Sequence, residues 1–116
     1  VACSKRFVQW ASKHNEFPKD FGWAFIRGFY ESDGTYNRNR KHPLVRIPNA
    51  NLNLLREVKT FLSKEGLNPH IYLGKKTKNH FEYVLVLNRI NESIEFWKKA
   101  NPCIKNPYKK EEVPWI

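Results

Sequence analysis

Two carboxylates close the stretch WAFIRGFYESDGTY, Trp23 to Tyr36: Glu31 and Asp33, with Gly34 directly after them. The stretch reads as a helix of about three turns. The last turn of a helix carries partial negative charge, so lysine or arginine is expected there and acids are disfavoured. An acid in that place implies a cation from outside the helix. Two stripes run along the same segment at i, i+4, i+8. Phe21, Phe25 and Phe29 are bulky, whereas Ala24, Gly28 and Ser32 are small throughout. A small stripe lets a second helix approach until the backbones nearly touch. Glycine inside a helix costs about 1 kcal/mol against alanine, so Gly28 needs a reason. One reason is close packing on the domain's own sheet. The other is a partner helix, which is favoured because the phenylalanines already supply a core face. Pairing would set Asp33 beside the equivalent acid of that partner. Two such carboxylates repel unless hard cations share them, and Mg²⁺ takes oxygen ligands of this kind. Two acids holding metal ions near a phosphate can hydrolyse a phosphodiester. Without a partner helix, Asp33 reads as an exposed turn acid before a glycine.

The elements that would position these residues follow from periodicity. Residues 4–14 read as a helix with Phe7, Trp10, Ala11 and His14 on one face and Ser4 as N-cap. The acid-ended helix spans 21–32, and Gly34 is expected to end it in the left-handed conformation. Residues 35–48 read as two strands, with KHP as the turn. Residues 51–65 form the clearest helix: Leu54, Leu55, Val58, Phe61 and Leu62 share a face, Asn51 or Asn53 caps its start and Gly66 its end. A hairpin is expected over 70–75 and 80–88, and a last helix near 91–99 carries Ile94 and Trp97. The proline-bearing tail reads as extended and loosely packed. This predicts an α+β domain over 21–102, preceded by a helix within 1–20 and followed by a tail over 103–116. Helices cover one face of a four-stranded sheet and leave the other free.

The 116 residues fit one domain with a modest core. Lys+Arg 21 against Asp+Glu 11 gives a net charge of +10, which points to a polyanionic partner such as nucleic acid. Cys3 and Cys103 form no C-x-x-C or Cys/His cluster, so a zinc knuckle is not expected. They read as unpaired thiols rather than a disulfide. The longest apolar run, Tyr83 to Leu87, is far short of a membrane span, and no signal peptide is visible. An intracellular protein is expected.

The basic residues cluster. Arg38, Arg40, Lys41 and Arg46 lie between Thr35 and Ala50 with no acid among them. Lys75, Lys76 and Lys78 lie between Gly74 and His80, again with no acid. Tyr36, Arg38 and Arg40 share one strand face by alternation, and Asn37 and Asn39 the other. Arginine reads guanine and asparagine reads adenine in the major groove, while lysine mostly holds phosphate. Tyr36, Asn37, Arg38, Arg40, Arg46, Lys75, Lys76 and Lys78 are therefore the expected contacts to double-stranded DNA. The tryptophans Trp10, Trp23, Trp97 and Trp115 read as packing residues.

The segment IRGFYESDG, Ile26 to Gly34, resembles the nonapeptide of the LAGLIDADG homing endonucleases. Gly28, Asp33 and Gly34 match outright. Ile26, Phe29, Tyr30, Glu31 and Ser32 match in character, and Arg27 stands where alanine is usual. The α-β-β-α-β-β-α order extends the resemblance over nearly the whole chain. It implies a four-stranded antiparallel, saddle-like sheet in the DNA major groove and a divalent cation, Mg²⁺ or another. It implies Asp33 as metal ligand with the Ser32 carbonyl oxygen nearby, and Asn49 as a catalytic polar residue organising water. Ala24, Gly28 and Ser32 would be the helix-pairing stripe. The partner would be a second LAGLIDADG half, on the same or a separate chain, or a second copy in a homodimer. The leading helix resembles the end of a preceding repeat. Together with the start at Val1 and the absence of methionine, this suggests the second half of a two-motif enzyme, of intron or intein origin. The competing readings are a maturase or DNA-binding module of the same fold without cleavage, and a structural RNA-binding domain. The last explains the charge but not a small stripe ending in an acid.

Overall fold

A computed structural model describes residues 22–36, 43–76, 78–79 and 81–107. Among them the order is α1 (Trp23–Asp33), β1 (Thr35–Tyr36), β2 (Val45–Asn49), α2 (Leu52–Lys64), β3 (His70–Lys76), β4 (Phe81–Val86) and α3 (Ile90–Ala100). The strands form one antiparallel sheet in the order β1-β2-β4-β3. This is the expected α+β architecture. The expected leading helix and the strand residues 37–42 lie outside the described residues.

Alternation decides which face of the sheet is covered. Val45 and Ile47 point inward, and Ile47 aligns with Leu85 and then Ile71 across the sheet. Arg46, between them, is exposed on the opposite face. Pro48 sits in a central strand without harm. The Leu87 N–H donates to the Val45 carbonyl (3.1 Å), so the polar groups of Val45 face β4 and those of Pro48 face the β1 side. There β1 has already given way to α1, since Thr35 pairs with Arg46, so the missing N–H breaks no ladder bond.

The helices lie over the covered face. Leu54, Leu55, Val58 and Leu62 of α2 are buried, each contributing about 1.5–3 kcal/mol. Asn51 caps α2, its side chain accepting from the Leu54 N–H (3.1 Å). At the other end Gly66 takes φ +88°. The Gly66 N–H donates to the Ser63 carbonyl (3.1 Å) and the Leu67 N–H to the Leu62 carbonyl (3.0 Å). That pair of bonds is a Schellman stop. In α1 and α3 the core is aromatic. Phe25, Ile26, Phe29, Tyr30, Phe96 and Trp97 are buried, and Trp23 packs edge-on against Phe61 and Phe96. Trp23 and Trp97 are thus packing residues, as expected; Trp10 and Trp115 lie outside the described residues.

Three expectations need correction. Gly34 ends α1 in an extended conformation (φ −82°, ψ 162°), not a left-handed one. Its need for glycine is steric: a Cβ there would enter the Tyr30 ring and lie 2.7 Å from the Tyr30 carbonyl oxygen. The first part of the tail is not loose, because Pro102 and Pro107 are buried and Cys103 and Lys105 bond to α1. Cys103, expected as a free thiol, is disulfide-bonded. Linear spacing gives no distance between cysteines, and the folded-back segment, which spacing also did not show, sets the surroundings of Cys103.

Candidate functional site

Asp33 is the last residue of α1 and Asn49 the last of β2. Gly34 turns the chain from helix to strand in one residue, and β2 returns antiparallel beside β1, which brings Asn49 back to the helix end. The Asn49 Nδ2 donates to Asp33 Oδ2 (2.8 Å), and the Ser32 hydroxyl donates to Asp33 Oδ1 (3.1 Å). Asn49 is itself fixed, because its Oδ1 accepts from the Asn51 N–H (2.7 Å). Asn51 in turn caps α2. A single chain of hydrogen bonds therefore ties the Asp33 carboxylate to the start of α2. The carboxylate is half-buried, and both its described partners are uncharged.

The last turn of α1 contains no basic residue. Part of the cation that the helix end asks for comes from the tail: Lys105 Nζ donates to the Glu31 carbonyl (2.8 Å). Glu31 is buried, and its Oε2 accepts from the Cys103 N–H. Its Oε1 is buried with no hydrogen-bond partner among the described residues. Tyr30 completes this clasp. Its hydroxyl donates to the Lys105 carbonyl and accepts from Trp97 Nε1 (3.2 Å). Burial pushes the Tyr30 phenol well above its usual pKa, so it remains a donor. Arg27, the departure from the usual alanine, donates from Nε to the Ala100 carbonyl (2.8 Å) and caps the end of α3.

The fit to a divalent cation can be tested on these donors. Among the described residues no group of three or more His, Cys, Asp or Glu side chains converges. Asp33 supplies one hard, accessible carboxylate at the negative end of a helix. Mg²⁺ keeps several waters and needs only one or two carboxylates, so the donor set fits one half of a shared site.

The pairing stripe is mixed: Ala24 and Ser32 are exposed, while Gly28 is already buried within the chain. Of the expected DNA contacts, Arg46 is exposed on the free face, and Lys75, Lys76 and Lys78 are exposed at the β3–β4 turn. Lys76 Nζ lies 5.4 Å from the Phe81 ring centroid. Tyr36 is elsewhere. It aligns with core-facing Val45 and sits edge-on to Trp97, with centroids 6.3 Å apart. Alternation separates two faces without saying which one meets the core. Asn37, Arg38 and Arg40 lie outside the described residues. The free face also holds residues that the spacing did not single out: His70, Tyr72 and Asn88, whose alignment depends on the β3–β4 register.

An acid-ended helix and a four-stranded antiparallel sheet, with the described helices over one face and basic residues exposed at the margin of the other, make up one α+β domain. The chain belongs to the LAGLIDADG-like family: the model described as "LAGLIDADG-like domain" matches residues 20–95. Among curated proteins it is 31% identical over 101 residues to a DNA polymerase of Thermococcus hydrothermalis, covering 77% of this chain and 6% of that one. It is 30% identical over 91 residues to a DNA polymerase of Thermococcus litoralis, covering 70% of this chain and 5% of that one. It is 29% identical over 80 residues to a DNA polymerase of Thermococcus sp. (strain GE8), covering 62% and 5%. The chain thus spans only about a twentieth of the length of these relatives. No solved structure matches it significantly. No helix among the described residues is long and apolar enough to cross a membrane.

Proposed function

We propose that this chain is one half of a metal-dependent, site-specific DNA endonuclease. The observation that carries the reading is the Asp33–Asn49 pair: an accessible carboxylate held at 2.8 Å by an amide, at the end of the family's motif helix. Asp33, with the Ser32 carbonyl beside it, would hold Mg²⁺, which supplies water activation and charge neutralisation at the phosphate. Asn49 orients the Asp33 carboxylate and leaves its remaining lone pairs outward. Arg46 and the lysines of the β3–β4 turn hold DNA phosphates, and the free face lies against the bases. A second half, on another chain or a second copy, meets α1 along Ala24 and Ser32 and brings the second acid. The short matched stretch within polymerase chains supports an element carried inside a longer host protein, as in an intein.

A second reading, DNA or RNA binding by the same fold without cleavage, is favoured by the sparse donor set around Asp33. Cleavage of a supercoiled plasmid library decides between them. The paired protein is expected to linearise a target in Mg²⁺ and to bind without cutting in EDTA. Binding with no cleavage at any divalent concentration would leave the binding module.

A further inference from the structure

One corner of the free face carries polar groups whose unused hydrogen-bonding capacity has a definite shape. His70 and Tyr72 lie on β3, aligned with Val86 and Val84 of β4. Asn88 follows β4 two residues later and is exposed. Its Nδ2 donates to the Tyr72 hydroxyl (3.0 Å). The Tyr72 side chain, 49% exposed, leans along β3 with its ring centroid 6.1 Å from that of His70. This corner takes no part in the Asp33 site.

A primary amide has two N–H bonds and one carbonyl oxygen. In Asn88 one N–H is committed to Tyr72. What remains, unpartnered among the described residues, is one donor beside one acceptor in a plane set by the tyrosine. The major-groove edges of the bases differ in what they can return. Guanine offers two acceptors, cytosine a donor, and thymine an acceptor and a methyl group. Adenine offers N7 as acceptor and N6–H as donor, the complement of the free half of Asn88. Val86, half-buried on the same face, adds apolar surface suited to the thymine methyl of that base pair.

We propose that Asn88 and Tyr72 form an adenine-reading subsite. Asn88 is the specificity residue, and Tyr72 is a positioning residue that fixes which amide edge faces the base. The proposal rests on the DNA-binding reading above and narrows it to an A·T pair at one position of the target.

Selection of randomised duplexes by the whole chain, followed by sequencing, tests it. Wild type should show one position selective for A·T. Asn88→Ala should flatten that position alone, by roughly 5- to 150-fold, the equivalent of one lost bidentate contact. Its affinity for random duplex and its salt dependence should stay as in wild type. Tyr72→Phe keeps the ring but loses the acceptor. It should weaken the same position's preference for adenine over guanine without changing the melting temperature, which a merely structural tyrosine would not do. Selection of G·C there, or an unchanged profile for Asn88→Ala, overturns the subsite. Salt-dependent binding with no sequence preference overturns it while leaving the DNA-binding reading intact. No binding to duplex DNA at all overturns both.

Discussion

Glu31 and Asp33 stand two residues apart at one helix end, and the fold treats them in opposite ways. Glu31 is 2% exposed and accepts the Cys103 N–H, while Lys105 bonds to its backbone carbonyl. It is committed to holding residues 101–107 against α1. Asp33 is half-buried, and its partners among the described residues are neutral donors, Ser32 and Asn49. Neutral partners orient a carboxylate without cancelling its charge, so it can still attract a cation. Counting acids at a helix end therefore does not count ligands. One acid builds the end, and the other is left accessible.

The contrast can be broken by paired substitutions. Asp33→Asn should lower plasmid cleavage by more than the roughly 10–100-fold typical of losing an outer partner of a metal. DNA affinity and melting temperature should hardly move, since no phosphate contact and no fully buried group is lost. Glu31→Ala should do the reverse. It strands the Cys103 N–H and should cost roughly 1–3 kcal/mol in denaturant unfolding, with cleavage per folded molecule retained. A Glu31→Ala protein that is fully folded yet inactive would erase the distinction.

Two smaller effects sharpen the picture away from the acids. Gly28 is buried within the chain, so enlarging it would disturb folding and pairing together. Exposed Ala24 separates the two. Ala24→Arg should weaken association with the second half by roughly 1–3 kcal/mol through overpacking in sedimentation, while the melting temperature of the single chain stays put. Last comes the electrostatic margin. Seven clustered basic residues should give a log–log salt slope of roughly −4 to −6, and Lys75→Ala should make it shallower by about one. A slope unchanged by that substitution would remove the β3–β4 turn from the DNA contact.

The sequence made Asp33 and Asn49 legible for different reasons. Asp33 follows from the nonapeptide and the dipole argument. Asn49 follows only from the resemblance, which implies a polar residue at the base of the second strand; its approach to the helix end is a finding of the fold. Helix α2 was readable to within a residue, because its leucines and both caps agree with one another. The core-side packing of Tyr36 was not legible, because alternation is symmetric between faces until a partner strand supplies Val45. The Glu31 clasp was hidden, since its partners come from a tail about seventy positions away and each bond has a backbone atom at one end, the Cys103 N–H or the Glu31 carbonyl, which carries no side-chain signature. The Tyr72–Asn88 pair was hidden too. Its two members meet only once the β3–β4 register, including the irregularity between Leu73 and Lys76, is fixed.

The single-residue joint at Gly34 has a mechanical consequence. Its N–H is held by the Tyr30 carbonyl at 2.7 Å, and the Tyr30 ring fills the space where a side chain would stand. A joint that short and that crowded behaves as an elbow cast in one piece, not as a hinge. Helix α1 and the sheet must then turn together, like a handle and its blade. In the paired assembly proposed above, a change in the angle at which the two helices cross would tilt the sheet with it.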